Sequence, residues 1–328
     1  MLSLVIPIYK NEPNLDRLLG ELGVLKDKLP LPMEVVFVVD GSPDRSLEIL
    51  QQRLPAAPFP ARLLSLSRNF GSFSAIAAGL EAGAGDYFAV LAADLQEPPE
   101  LVVEFCRILS RGEADVAFGV RTRRSDPWLS EFFSRLFWSI YRAFIIPEMP
   151  RGGVDVFGCT RQVRDWLLRC PESNTNLIAL LFWVGFRRRY TPYERRPRTE
   201  GESAWTIRKK IKYSLDSIFN FTDLPIQLLM VVGSVGIGFA LLFGTVLLVL
   251  KLSGRIPVPG YSAIVLTIMF FGGLTSLGMG ILGQYLWLTL QNARRRPKYI
   301  VASTGTYRVE PGRTAGVTPQ EDRQFFGQ

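Results

Sequence analysis

The chain has 328 residues, a formal net charge of +8, three cysteines and no histidine. Without imidazole, Ser-His and Cys-His nucleophiles and histidine-based zinc sites are excluded. Three scattered cysteines, Cys106, Cys159 and Cys170, suggest neither a disulfide framework nor a CxxC metal site and read as packing residues.

Short apolar, β-rich runs at Leu2–Ile8, Glu34–Val39, Arg62–Leu66, Tyr87–Ala92 and Asp115–Gly119 alternate with helical patterns at Asn14–Leu29, Asp44–Leu54, Ser72–Ala82 and Pro99–Leu109. The alternation predicts an α/β domain, a parallel sheet covered by helices in the doubly wound manner. Met1–Tyr9 has neither the basic lead nor the cleavage site of a signal peptide and reads as the first strand. Ligands of such sheets bind at the carboxyl ends of strands. The loops to search are therefore Pro7–Glu12, Asp40–Ser46, Ser67–Gly71 and Ala93–Glu100.

Farther on, Glu131–Ile146 is rich in aromatic and aliphatic residues with Arg135 and Arg142 interspersed; it fits a helix lying in a bilayer interface or one packed on the sheet. Ala204–Phe221 is a second interfacial segment. Leu224–Leu250 and Ile256–Ala293 contain no charged residue, and each exceeds the roughly 20 apolar residues that a spanning helix needs. Within them Gly236, Ala240 and Gly244, and Gly272, Ser276 and Gly280, recur every four residues, a spacing that permits close helix contact. Arg208, Lys209, Lys210 and Lys212 precede the first stretch and Arg294, Arg295, Arg296 and Lys298 follow the second, against only Lys251 and Arg255 between them. The positive-inside rule then places both flanks, and the α/β domain, in the cytoplasm at the inner membrane. The expected organisation is residues 1–200 as catalytic domain, 201–223 as an amphipathic juxtamembrane segment, 224–293 as a two-helix transmembrane hairpin and 294–328 as a basic, partly flexible tail.

A carboxylate directly after a strand suits a divalent cation bridging a diphosphate, because Mg²⁺ and Mn²⁺ prefer hard oxygen ligands and keep coordination sites for phosphate and water. Asp94, at the end of the fourth strand, is the best candidate.

LVIPIYKNEPNL at residues 4–15, VVFVVDGSPDRSLEIL at 35–50, SRNFGSFSAIAAGL at 67–80 and LAADLQEPPELV at 91–102 together resemble family 2 glycosyltransferases of the GT-A fold. With FGVRTRR, VDVFGCTRQV, FWVGF, RRPRTEGESAW and GQYLWLTLQNARRRPKYIV, the chain is similar over residues 1–300 to enzymes that move a sugar from a nucleotide sugar to a polyprenyl phosphate. Dolichol-phosphate mannose synthases and bacterial undecaprenyl-phosphate glycosyltransferases are examples.

The resemblance implies Mg²⁺ or Mn²⁺ on Asp94 with Gln96. It implies a nucleotide-sugar site formed by Pro7, Tyr9, Glu12, Asp40, Arg68, Asn69 and Ala93, with Asp40 on the nucleobase. It implies acceptor-phosphate contacts from Arg121 and Arg135, then Arg123 and Arg198, with Ser203 as a hydroxyl partner. Asp155 is implied to orient acceptor or sugar and to act as a weak base, so the catalytic set is Asp94, Asp155 and Arg121. The partners implied are a nucleotide sugar, a polyprenyl phosphate and the lipid bilayer, with a homotetramer as a further expectation. Three positions depart from the family pattern: Ala92, where a second aspartate usually stands and where nearby Glu97 is a candidate substitute, Ala204 in place of a basic residue, and Gln284 in place of an acidic one.

Two competing readings stay open at this point. A polysaccharide synthase shares the donor domain but needs a QxxRW motif and further spans, neither of which is visible. A catalytically silent membrane-bound protein that still holds a nucleotide sugar is motivated by Ala92. Nucleic-acid binding is not expected, because the basic residues cluster beside the apolar stretches.

Overall fold

The computed structural model describes residues 1–122, 142, 146–150, 153–154, 156–170, 177–196, 224–253, 261–294 and 296–308. Leu2–Ile8 (β1) and Met33–Val39 (β2) are buried along almost their whole length, as befits interior parallel strands covered on both faces. They pair in parallel from Leu2↔Met33 to Ile8↔Val39; β2 also pairs with Ala61–Leu66 (β3), and β1 with Tyr87–Val90 (β4).

The intervening helices follow from apolar spacing. Leu15–Lys28 (α1) buries Leu15, Leu18, Leu22 and Leu25, one stripe at steps of three and four. Ser46–Arg53 (α2) follows β2. Ser72–Ala82 (α3) packs on β1, β2 and β3. Its approach to β1 is so close that a Cβ at Gly79 would lie 2.3 Å from Val5 Cγ1, which explains a glycine in mid-helix despite its cost of about 1 kcal/mol there. Glu100–Ser110 (α4) buries Leu101, Val102, Phe105, Cys106, Ile108 and Leu109, each large apolar side chain contributing about 2 kcal/mol by leaving water.

The rest of the sheet departs from the all-parallel expectation. Val116–Arg121 (β5) pairs antiparallel with Val156–Thr160 (β6), which is itself antiparallel to β4. Arg161–Arg169 (α5), capped by the Thr160 side chain, and Leu177–Trp183 (α6) lead into Arg188–Tyr193 (β7), parallel to β5. Two helices, Leu224–Leu252 (α7) and Tyr261–Ala293 (α8), run 29 and 33 residues, and Val301–Tyr307 (β8) then joins β3 antiparallel. Among the described residues the sheet has the order β7-β5-β6-β4-β1-β2-β3-β8. The sheet is thus mixed, and the stretch expected to be tail supplies an edge strand.

The chain divides into two compact units, one comprising residues up to Lys209 with the chain from Pro297 onward, the other Lys210–Arg296. The first unit includes β8. In the second, a Cβ at Gly236 would touch Phe271 at 3.7 Å and one at Gly278 would touch Leu229 at 3.5 Å, whereas nothing among the described residues lies within 4 Å at Gly272 or Gly280. The small-residue spacing therefore picks Gly236 correctly but misses Gly278; the side chains of Ala240 and Gly244 lie outside the description. Among the described residues no helix is long and apolar enough to cross a membrane; many side chains of α7 and α8 fall outside that set. The interfacial segments Glu131–Ile146, apart from Arg142 and Ile146, and Ala204–Phe221 also lie outside the described residues.

Cys106 and Cys159 are buried and free. Burial raises both thiols, Cys159 to about 12, so neither is a thiolate at neutral pH, in keeping with a packing role.

Candidate active site

The chain lays β1, β2 and β3 side by side and then places β4 on the other flank of β1. Open α/β sheets bind their ligands at such a reversal of strand order, outside the carboxyl ends of the flanking strands, here β1 and β4. The loops after Ile8 and Val90 border this position. The loops after β2 and β3 lie along the same edge, as do the end of β5 at Arg121 and the end of β7 at Tyr193, since both strands run parallel to β4.

Three of these loops are tied together by hydrogen bonds. After β1 the chain turns through Lys10 at φ +56°. Lys10 N donates to Ser42 Oγ at 2.8 Å, Glu12 N donates to Asp44 Oδ2 at 3.1 Å, and Arg45 N donates to Glu12 Oε2 at 3.0 Å. Asp44 Oδ1 also accepts Ser42 Oγ–H at 2.6 Å and Ser46 N–H at 3.2 Å. Asp40, 2 % exposed, reaches across to the third loop, where its Oδ1 accepts Phe70 N–H at 2.7 Å and its Oδ2 accepts Gly71 N–H at 2.8 Å. Gly41 sits at φ +55°, and a Cβ there would stand 2.3 Å from the Arg68 carbonyl carbon. Glycine is therefore required on two counts: backbone conformation and the close passage of the 67–71 loop.

The loop after β4 has a different construction. Leu95 occupies the left-handed region at φ +53° with its side chain buried, a conformation rare for a branched residue and held only by its surroundings. Those surroundings are visible: Arg17 of α1 donates to the Asp94 carbonyl at 3.1 Å, Arg196 N donates to Gln96 O at 2.8 Å, and Gln96 N donates to Asp94 Oδ1 at 3.3 Å. Glu97, 2 % exposed, faces Arg195 Nε at 3.4 Å. It braces the loop against the segment after β7. Among the described residues no group of three acidic or cysteine side chains converges on a metal position. The donor set offered is one carboxylate, Asp94, and one amide oxygen, Gln96. Such a set suits a hard cation that takes its remaining ligands from phosphate and water.

Of the other residues singled out from the sequence, Pro7 lies within β1, Tyr9 is 36 % exposed under Lys10 Nζ at 5.7 Å, and Arg68 stacks on the Phe70 ring at 4.2 Å beside exposed Asn69. Ala93 is part of the core, which limits it to main-chain contacts with a ligand. Arg121 ends β5, half-buried, paired in register with Tyr193. Arg123, Arg135, Asp155, Arg198 and Ser203 lie outside the described residues. A cavity of about 480 Å³ lined by Glu148, Gly185, Phe186, Arg188 and Tyr190 opens beside the start of β7, where Arg188 pairs with Val116. It is at the opposite edge of the sheet from these loops. Sequence reading missed Ser42, Asp44, Arg17 and Arg195. Only the DGSPD spacing, a turn ahead of a helix start, hinted at the first two.

The two aspartates of the β2 loop titrate in opposite senses. Burial, the largest influence, raises Asp40 above the ordinary 3.8 against the opposing pull of Phe70 N–H, Gly71 N–H and the Arg68 charge. Its contribution to stability is therefore present below 3.8 and is lost as pH rises through the native value. Burial also pushes Asp44 up, but Ser42, Ser46 and the amides of Glu12 and Ser46 together bring it below 3.8. Its contribution is present above 3.8 and is lost as pH falls through the lower native value. Asp44→Asn is accordingly expected to unfold at a lower temperature than the unaltered protein at pH 7. The gap should close as pH falls below 3.8; thermal melts at stepped pH measure it, and a gap independent of pH would refute the assignment.

Residues 3–168 match the sequence model of the family glycosyl transferase family 2. An uncharacterized glycosyltransferase of Synechocystis sp. is 30 % identical over 92 % of this chain and 94 % of its own length. An undecaprenyl-phosphate 4-deoxy-4-formamido-L-arabinose transferase of Aeromonas hydrophila is 32 % identical over 92 % and 93 %. A bactoprenol glucosyl transferase of Shigella phage SfV is 28 % identical over 92 % and 97 %.

Proposed function

Because the chain belongs to glycosyl transferase family 2, we propose that this glycosyltransferase moves a sugar, with inversion, from a UDP- or GDP-linked donor to a polyprenyl phosphate such as undecaprenyl phosphate at the cytoplasmic face of the inner membrane. The observation that carries the reading is the gathering of the Asp40, Asp44, Arg68 and Asp94 loops and the Arg121 strand end on one edge of the sheet. The lipid acceptor rests on the relatives that bear it in their names and match across almost their full lengths.

In this reading the interlocked loops after β1, β2 and β3 hold the nucleotide, and Asp94 with Gln96 holds Mg²⁺ or Mn²⁺. Bound there, the cation would neutralise charge on the departing diphosphate. A phosphate monoester has its second pKa near about 6 and is already largely dianionic at neutral pH. An acceptor oxygen forms the bond to the anomeric carbon as that carbon's bond to the diphosphate oxygen breaks, and the electron pair leaves with the diphosphate. No strong base is required, consistent with a chain that has no histidine. Arg121 at the strand end, with Arg123, Arg135, Arg198 and Ser203, would bind the acceptor phosphate, and Asp155 would orient the reacting groups. Helices of 29 and 33 residues measure about 43 and 50 Å at 1.5 Å per residue, longer than a hydrocarbon core of roughly 30 Å. The charge-free stretches Leu224–Leu250 and Ile256–Ala293 and their basic flanks support a hairpin that dips through the bilayer and returns.

The test is transfer by the detergent-solubilised full chain from a panel of radiolabelled UDP- and GDP-sugars to undecaprenyl phosphate. Organic-extractable label of inverted anomeric configuration is expected with at least one donor. Donor binding without lipid product, or label appearing in an insoluble polymer, would overturn the acceptor assignment.

A further inference from the structure

The 67–71 loop is held from one side by Asp40 and the Gly41 backbone; a separate part of the chain holds the other side. Ser67 N donates to Ile300 O at 2.9 Å, continuing the ladder beyond Leu66↔Val301. The register slips between Ser65↔Ser303 and Leu66↔Val301, leaving Ala302 as an extra residue, a bulge of the kind that redirects a strand next to a functional site. Just before it, half-buried Lys298 donates through Nζ to Cys170 O at the end of α5, and the half-buried Tyr299 hydroxyl bonds the Glu81 carboxylate near the end of α3. Lys298–Ile300 thus forms a strap fixed at three points, and its last point is the first amide of the loop that carries Arg68 and Asn69.

We propose that this strap, with the bulged start of β8, is a positioning element for the nucleotide-sugar site. Lys298 and Tyr299 act through Ile300 and Ser67 to set where Arg68 and Asn69 stand. Asp40 alone fixes only the far end of the loop, at Phe70 and Gly71. A five-residue segment with Ser67, Arg68 and Asn69 exposed and tethered at one end samples many backbone conformations, and ordering it would then be charged against donor binding. With the strap in place that ordering precedes binding. The strap's bonds to Cys170, Glu81 and Ser67 lead to the donor loop, so its effect falls on donor affinity rather than on turnover. This inference rests on the nucleotide-sugar reading above.

Two variants of the full chain test it: Lys298→Met/Tyr299→Phe, which releases the strap but leaves the ladder, and deletion of Ala302, which shifts the register by one residue. The probe is whichever nucleotide sugar of the panel the unaltered protein turns over fastest. Losing two hydrogen bonds is expected to raise the donor KM about three- to tenfold with kcat within about twofold, and the deletion to raise it further. Amide hydrogen exchange at Ser67 is expected to accelerate in both, and Lys298→Arg with Tyr299 intact to restore the parent KM. Unchanged donor KM in both variants despite faster exchange at Ser67 overturns the inference alone, as does a fall in kcat with KM unmoved. Failure of the unaltered protein to bind any nucleotide sugar overturns the functional reading and this inference with it.

Discussion

Asp94→Asn is expected to lower sugar transfer by about a thousandfold with the fold intact, the order of loss seen when a group that compensates leaving-group charge is neutralised. The exchange is nearly isosteric, and the amide oxygen can still accept Gln96 N–H, which Asp94 Oδ1 accepts at 3.3 Å. Arg17 and Arg196 hold the loop through main-chain oxygens of residues 94 and 96, so they keep it in place in the variant. What disappears is the negative charge. Asp94 and Gln96 then offer a hard cation two neutral oxygens in place of a carboxylate and an amide, and cation affinity falls along with the rate. Initial rates measured against Mn²⁺ concentration should show both a lower plateau and a higher half-saturation point. Turnover near that of the unaltered protein would remove Asp94 from the cation site.

Asp40→Asn is expected to raise the donor KM about ten- to a hundredfold and to destabilise the catalytic unit by about 1–3 kcal/mol, the cost of leaving one buried amide N–H facing a donor. The carboxylate accepts one N–H on each oxygen, from Phe70 at 2.7 Å and Gly71 at 2.8 Å. An asparagine can satisfy only one of these and presents its own N–H₂ to the other. Because Gly71 directly precedes α3, the disturbance reaches both the loop and the start of that helix. Urea unfolding gives the stability difference, and donor titrations give the KM. If both match the parent, Asp40 is not the latch of the 67–71 loop. Unlike a strap variant, Asp40→Asn changes a residue that the proposed function places in the donor pocket itself, so a fall in kcat alongside the rise in KM is expected here.

The glycine at position 41 and the leucine at position 95 show how differently the two halves of the site are built. At Gly41 a side chain is excluded by passing backbone. At Leu95 a side chain is retained in the left-handed region, and its burial among core residues helps hold the loop. Strain of about 1–3 kcal/mol at such a position persists only where the surroundings dictate it. Here Arg17 and Arg196 hold the loop on either side. The Asp94 carboxylate is thereby presented from a loop already fixed before any ligand arrives, which lowers the cost of organising a charged site.

The sequence by itself determined the strand and helix alternation through Ser110, the loops that end its strands, and the helical pair after Leu224, because each is written in the spacing of neighbouring apolar residues. It also placed Asp40 at a strand end; Asp94, expected directly after a strand reaching Ala92, lies in the loop beyond β4, which ends at Val90. Only the tertiary structure decided that β6 runs antiparallel between β4 and β5, and that Val301–Tyr307, a small-residue run of VASTGTY with no apolar period, is the eighth strand. It alone decided that Asp44 is the hub of two loops, that Glu97 answers Arg195, and that Ser67 meets Ile300. Those pairings join residues far apart along the chain. Local propensity says nothing of them, and they exist only once the sheet has brought distant strand ends to a single edge.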